Sequence, residues 1–313
     1  MRYLLRRLLR LAAVLFAVSL LTFLATNSFG DPVLANLGPL ANDKELRAQV
    51  EKELELDHPL PVRYINWVGD ALQGDLGRSY ITRESVSAII GRTLPVSLFV
   101  MAYAQVLALL LAVPIAIWSA YRADRFFDRA STTLSFGLLS VPAIALGPLL
   151  IYVLAVSNHV FPSRYLDDTF LDQLYSLFLP ALTLALPLGA AYMRILRTDM
   201  VRTLQEDFVI AARAKGLPTR RILVVHALRP STFSLLTVVG IQVGALLGGG
   251  LVVEIIFSLP GLGREIVRAT LQDNYVVVQA IVLVIATAFV LINFIVDALY
   301  GFLDPRVRSV RGL

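Results

Sequence analysis

The sequence predicts an all-α, polytopic membrane protein with six transmembrane helices, and two observations carry that prediction. Of 313 residues, 57% are hydrophobic and only 16% are charged, whereas a soluble domain is nearer half apolar and a quarter charged. The apolar residues gather in blocks of about 20, the length that crosses a hydrocarbon core. The chain has no cysteine, which excludes disulfides, thiolate metal sites and cysteine nucleophiles. This composition excludes a disordered chain and argues against a soluble enzyme.

Span 1 is read at 9–29. It follows Arg2, Arg6, Arg7 and Arg10, as a signal peptide would, but it is longer than a signal core. No small-x-small site ends it, and Asn27-Ser28-Phe29-Gly30-Asp31-Pro32 reads as a span end and a turn. Residues 1–29 are therefore a stub and an anchor, 30–94 an outer cap segment and 95–313 the core. In the cap, Asn42 or Asp43 can start a helix. Leu46, Val50 and Leu54 then recur on one face, and Pro59 ends the run. Tyr64, Trp67, Val68 and Leu72 suggest a second amphipathic stretch. The cap is read either as a plain helical rim or as a docking surface.

Spans 2 to 6 are read at 95–120, 131–156, 178–196, 232–256 and 276–300. Span 5 carries Gly240, Gly244 and Gly248, four residues apart, which allow close packing of helices or a smooth face along a path. The segment 257–275 is too polar to cross. Pro260, Gly261 and Gly263 make its turn, and Ile266, Val267, Thr270 and Leu271 form a short amphipathic face. Glu254 and Asp297 sit at span ends, where water, Arg264 and Arg306 can serve them. No acidic residue falls in the middle third of a span, which weakens the case for an ion-coupled carrier.

Orientation follows from the basic residues, 28 in all against 23 acidic ones. With the N-terminus inside, 18 of the 28 fall on cytoplasmic segments. Seven more lie in the long segment 30–94, leaving three in short outer loops. Long translocated segments count little, so both termini are placed in the cytoplasm.

The segment between spans 4 and 5, 197–231, holds a polar helix. Glu206 and Asp207 suit a helix start, and Gly216 with Pro218 a stop. Phe208, Ala211, Ala212 and Lys215 share a face by spacing. A second helix starts near Thr219. Two readings stand: a knob whose small residues admit a partner protein, or a basic helix on anionic lipid.

Ala211-Ala212-x3-Gly216 resembles the coupling loop of importer-type ABC permeases, with Ile210 where that family has a glutamate and the closing proline one place late, at Pro230. The stretch Asp207-Phe208-Val209-Ile210-Ala211-Ala212-Arg213-Ala214-Lys215-Gly216-Leu217 is similar to the peptide-importing branch. So are Gly30-Asp31-Pro32, Gly74-Asp75-Leu76-Gly77-Arg78-Ser79, Val253 to Gly263, and Leu303-Asp304-Pro305-Arg306. In order, they cover nearly the whole chain and resemble the B-type permease subunit of dipeptide and oligopeptide importers. The resemblance implies a second homologous permease, two cytoplasmic ATPases bound at Asp207, Phe208, Ala211, Ala212, Lys215 and Gly216, and an extracytoplasmic substrate-binding protein. It implies a scoop-like outer segment at 257–275. ATP and magnesium would belong to the ATPases.

This chain has no Gly-x4-Gly-Lys-Ser/Thr loop and no Gly-x-Ser-x-Gly elbow, and Gly261-x-Gly263 lacks its third glycine. His58, His159 and His226 stand apart, without metal-ligand spacing. No catalytic residue, metal or nucleic-acid partner is expected, and lipid is the surrounding medium. The rival readings are an ion-driven carrier or channel, a membrane-embedded enzyme, and a related permease for nickel chelate or glutathione.

Overall fold

A computed structural model describes residues 2–28, 32–53, 56–162 and 164–303. Among these the regular elements are helical, with one isolated antiparallel bridge between Arg78 and Ser85. In order they are α1 (Arg2–Ser28), α2 (Pro32–Leu37), a 3₁₀ turn (Gly38–Asn42), α3 (Lys44–Glu53), α4 (Leu60–Leu72), α5 (Val86–Tyr121), α6 (Phe126–Ser140), α7 (Ala143–Leu150) and a π segment (Ile151–Ser157). Then follow α8 (Phe170–Ser176), α9 (Phe178–Thr203), α10 (Asp207–Ala214), α11 (Thr219–Arg221), a second π segment (Ile222–Leu228), α12 (Arg229–Ile256), α13 (Leu262–Leu271) and α14 (Tyr275–Leu303). Among the described residues five helical runs are long and apolar enough to cross a membrane, or six when a bent pair counts as one. The expectations at Gly30-Asp31, at Leu54 and at Asp304-Pro305-Arg306 lie outside the described residues.

The span expected at 131–156 falls on the bent pair. α6 and the run Ala143–Ser157 meet at 106°. Pro142 has no N–H to donate, and its ring disfavours a helical residue before it. Val141 is accordingly extended, at φ −88°, ψ 117°.

The chain divides into two units. The first comprises residues 1–97 and 260–292. Its core is Val86, Ile89 and Ile90 of α5, Leu262 and Ala269 of α13, and Val277, Ala280 and Ile281 of α14. Asp43 caps α3 as expected, accepting from the N–H groups of Glu45 and Leu46 at 2.9 and 3.3 Å. α4 lies on α1: Tyr64 meets Phe16 and Phe23 edge-on, and its hydroxyl is 2.8 Å from that of Ser19. The Gly74-to-Ser79 motif is a structural turn. Gly74 and Gly77 take φ of 86° and 82°, which glycine adopts without steric cost. A side chain at Gly77 would also press within 3.0 Å of Val276. Buried Asn274 ties this turn to the α13–α14 corner, donating to Ser79 Oγ at 2.7 Å and accepting from the Tyr80 N–H at 3.3 Å.

The 257–275 segment forms α13 with a different inner face from the one expected. Leu262, Gly263 and Ala269 are buried, Ile266 is half-buried, and Val267, Thr270 and Leu271 are exposed. Gly261 is the residue before the helix, Pro260 is exposed, and Ser97 Oγ accepts the Leu262 N–H at 2.9 Å.

The second unit comprises 98–259 and 293–313. α9 is its central helix and packs against α6, α7 and α12. Its backbone meets α5 at Gly189, where an added Cβ would lie 3.2 Å from the Ala108 carbonyl oxygen. Tyr192, fully buried, and Gln105, half-buried, exchange hydrogen bonds of 3.0 and 3.1 Å beside that crossing. Where lipid removes any hydrophobic drive between helices, close backbone approach and interhelical hydrogen bonds are what hold them together.

Along α12 the three spaced glycines do not share one packed face. Gly240 is buried and Gly244 half-buried, but Gly248 is exposed and a Cβ there would meet nothing within 4 Å. Close contacts come instead at Gly249, against Leu184, and Gly250, against Met101. A helix advances 100° per residue, so Gly249 points to α9 and its neighbour Gly250 to α5. Glu254, for which water or an arginine was expected as partner, is only 2% exposed.

Candidate functional site

The site is the polar excursion between α9 and α12. α9 ends at Thr203, whose hydroxyl lies 3.1 Å from that of buried Ser231, two residues into α12. This pair closes the excursion at its base. Within it, Glu206 precedes α10 in an extended conformation, and Asp207 places a carboxylate in the first turn, where the helix dipole favours it.

The end of α10 is built by its sequence. Leu217 donates its N–H to the Ala212 carbonyl at 3.3 Å and Gly216 to the Arg213 carbonyl at 2.9 Å. Gly216 takes φ +75°. This paired 6→1 and 5→2 arrangement needs a left-handed residue at its turn, which glycine supplies. Pro218, extended, then starts α11, and the π segment carries the chain into α12 without a break.

The predicted face splits in two. Val209 and Ala212 are buried at 0% and 6% exposure, with α10 packed on the π segment. Phe208, Ile210, Ala211, Lys215 and Gly216 are exposed. Ala212 therefore belongs to the inner side and is not available to an outside contact, because it lies three residues from Val209 on the same stripe. What faces out is Ala211 and Ala214, with Phe208 and Lys215 along one edge and Ile210 and Arg213 along the other; Phe208 and Ile210 are half-exposed at 49% and 54%.

A buried ion pair that the sequence reasoning missed fixes the root of this excursion. Asp128, in the first turn of α6, is 2% exposed. Arg197 of α9 reaches both its oxygens, Nε to Oδ1 at 2.8 Å and Nη2 to Oδ2 at 2.5 Å. Ser119 of α5 donates to Oδ1, and the Asp124 N–H donates to Oδ2 at 2.8 Å. Nearby, the Arg194 guanidinium sits 4.0 Å over the Phe136 ring. One carboxylate thus holds α5, the α5–α6 turn and α9 together. The available signal was an acid inside an arginine run, followed directly by an apolar helix.

The excursion can present a small, rigid, partly apolar knob whose displacement moves α9 and α12 together. It offers no set of groups for covalent chemistry. Among the described residues no cluster of three metal-ligating side chains occurs.

Comparisons with known proteins agree with this architecture. Residues 112–309 match the family described as the binding-protein-dependent transport system inner membrane component, and residues 1–101 match its N-terminal family. The di/tripeptide transport system permease protein DppB of Pseudomonas aeruginosa is 38% identical over 98% of both chains. The probable peptide ABC transporter permease protein y4tP of Sinorhizobium fredii is 33% identical, and the glutathione transport system permease protein GsiC of Escherichia coli 37%. Each spans 98% of this chain and 99% of the relative. With apolar helices enough to cross a membrane five or six times, a closed helical excursion between α9 and α12, and these matches along its length, the chain is a multi-pass membrane protein and belongs to the family of binding-protein-dependent transport system inner membrane components.

Proposed function

We propose that this chain is one permease subunit of an ATP-driven peptide importer. It forms half of the path with a second, homologous permease. Two ATPases, which hold the ATP and magnesium, bind cytoplasmic knobs, one of them the outer face of α10. An extracytoplasmic receptor delivers the substrate, and both termini are cytoplasmic. The observation that carries this is the α10 knob: an outer face of Ala211 and Ala214 edged by half-exposed Phe208 and Ile210, on a base closed by Thr203–Ser231 and Asp128–Arg197. Helix-in-groove recognition uses a few such anchors, and rigid-body motion of a partner is passed on by packed elements. The small-solute range of the relatives' names, di/tripeptide and glutathione, supports a short peptide as cargo.

The test uses the assembled complex in mild detergent. Ala211→Trp places a large side chain on the exposed face, while the inner stripe of Val209 and Ala212 is untouched. Membrane insertion should be normal, ATPase recovery should fall at least about ten-fold, equivalent to 1.4 kcal/mol, and uptake should be lost. A lipid-resting helix tolerates an added tryptophan, so unchanged ATPase recovery with unchanged uptake would remove the coupling role from this helix.

A further inference from the structure

The first unit encloses a cleft of about 490 Å³ between α1, α4, the 75–83 loop and the first turns of α14. That volume lies in the range of small-molecule sites. Its walls mix aromatic faces with polar groups, unlike a crevice meant for lipid tails. Phe23 and Trp67 supply an apolar wall, their rings 6.0 Å apart. Arg63, on α4, donates to Asn27 Oδ1 at 2.7 Å, which fixes the guanidinium and uses one of its five N–H donors.

Gln279 lines the same cleft from α14. It is 8% exposed, and its side-chain nitrogen has no hydrogen-bond partner among the described residues. Buried polar groups are nearly always partnered, so an orphan donor on a cleft wall marks a position where a ligand supplies the acceptor. Tyr80 adds a phenol whose pKa burial pushes up to about 12, against the opposing charge of Arg63. It therefore keeps its proton near neutral pH. The donors of the lining match a carboxylate. Asp70 and Asp75 stand in the same lining, and Asp75 spends one oxygen on the Gly77 N–H at 2.9 Å. These acids disfavour a dianion such as phosphate and suit an ammonium group.

We propose that this cleft binds a small zwitterion with a free carboxylate, a short peptide or amino acid, its carboxylate met by Arg63, Gln279 and Tyr80 and its apolar part laid on Phe23 and Trp67. The site is built wholly from the first unit and does not depend on the importer reading. Uptake could fail with binding intact, and the reverse.

The chain has two tryptophans, so in a Trp118→Phe background Trp67 is the sole reporter. The full chain, purified free of other subunits, is placed in lipid nanodiscs and titrated with tri-alanine. A saturable change in Trp67 emission is expected. Tri-alanine amide, which lacks the carboxylate, should bind about ten-fold more weakly or worse, as should tri-alanine to Arg63→Gln. Gln279→Leu should weaken binding by a smaller factor, and it decides the matter if Arg63→Gln is poorly folded, since leucine is at home in a membrane helix. No saturable change up to about 10 mM, or equal binding of the amide, overturns the proposal. So does binding that neither substitution alters. In the first case the cleft is left to an acidic side chain of a partner protein.

Discussion

Asp128 shows how much one residue can organise. Its carboxylate accepts from Arg197, Ser119 and the Asp124 N–H, so every partner of a buried charge is supplied by the chain. A paired buried charge is weak evidence for net stability, but removing one partner leaves an uncompensated charge and costs on the order of 3 kcal/mol. Asp128→Asn should therefore lower the thermal midpoint of the detergent-solubilised protein by several degrees. Adding Arg197→Gln should recover part of the loss, because the stranded guanidinium is then gone. An unaltered midpoint in the single variant would mean that the pair does not hold the three elements. The same scale explains a missed inference. The charge count that orients the chain weighs only basic residues and so passes over Asp128, which stands beside Arg129. The partner, Arg197, lies 69 positions away, and no local periodicity links the two.

At the scale of elements, the spans and turns were legible and their contacts were not. The starts of α3 and α10, the stop at Gly216 and the restart at Thr219 follow from caps, dipole and backbone freedom, all of which act within a few residues. The bend at Pro142 was equally local and was overlooked inside an apolar block. The glycines of α12 mark the limit. Spacing by four predicts a common stripe, yet a Cβ at Gly248 would meet nothing while one at Gly249 would lie 3.5 Å from Leu184, and the close approach to a neighbouring backbone lies on α9 at Gly189. Two substitutions separate these cases. Gly189→Ala forces a methyl onto the Ala108 carbonyl, which cannot rotate away, and should cost about 1–3 kcal/mol. Gly248→Ala fills open space and gains helix propensity, so it should be neutral or stabilising by up to about 1 kcal/mol. Thermal unfolding of the two variants side by side is the measurement. Equal effects would show that the α5–α9 approach is looser than the structure has it.

Across the whole molecule, the distribution of 28 basic residues bears on how the chain sits in a membrane. Both termini and the α10 excursion should be cytoplasmic, and the α3–α4 segment should be outside. The absence of cysteine makes the test direct, because a single introduced thiol is the only target. Thr219→Cys and Glu45→Cys are both at exposed positions. In intact cells a membrane-impermeant maleimide should label the second and spare the first. Labelling of Thr219→Cys from outside would invert the arrangement and with it the coupling role of α10.

The sequence by itself determined the class of the protein, the approximate places of its apolar helices and the polar helix that opens at Asp207 and stops at Gly216. These properties are additive along the chain: apolar length, charge and turn chemistry need no distant partner. Only the tertiary structure decided that Ala212 faces inward and Phe208 outward, that Asp128 grips Arg197, and that Gln279 closes a cleft with Arg63 and Trp67. Each depends on which residues far apart in sequence are brought together. Helix packing sets those meetings through side-chain shape, and a single sequence carries that only implicitly.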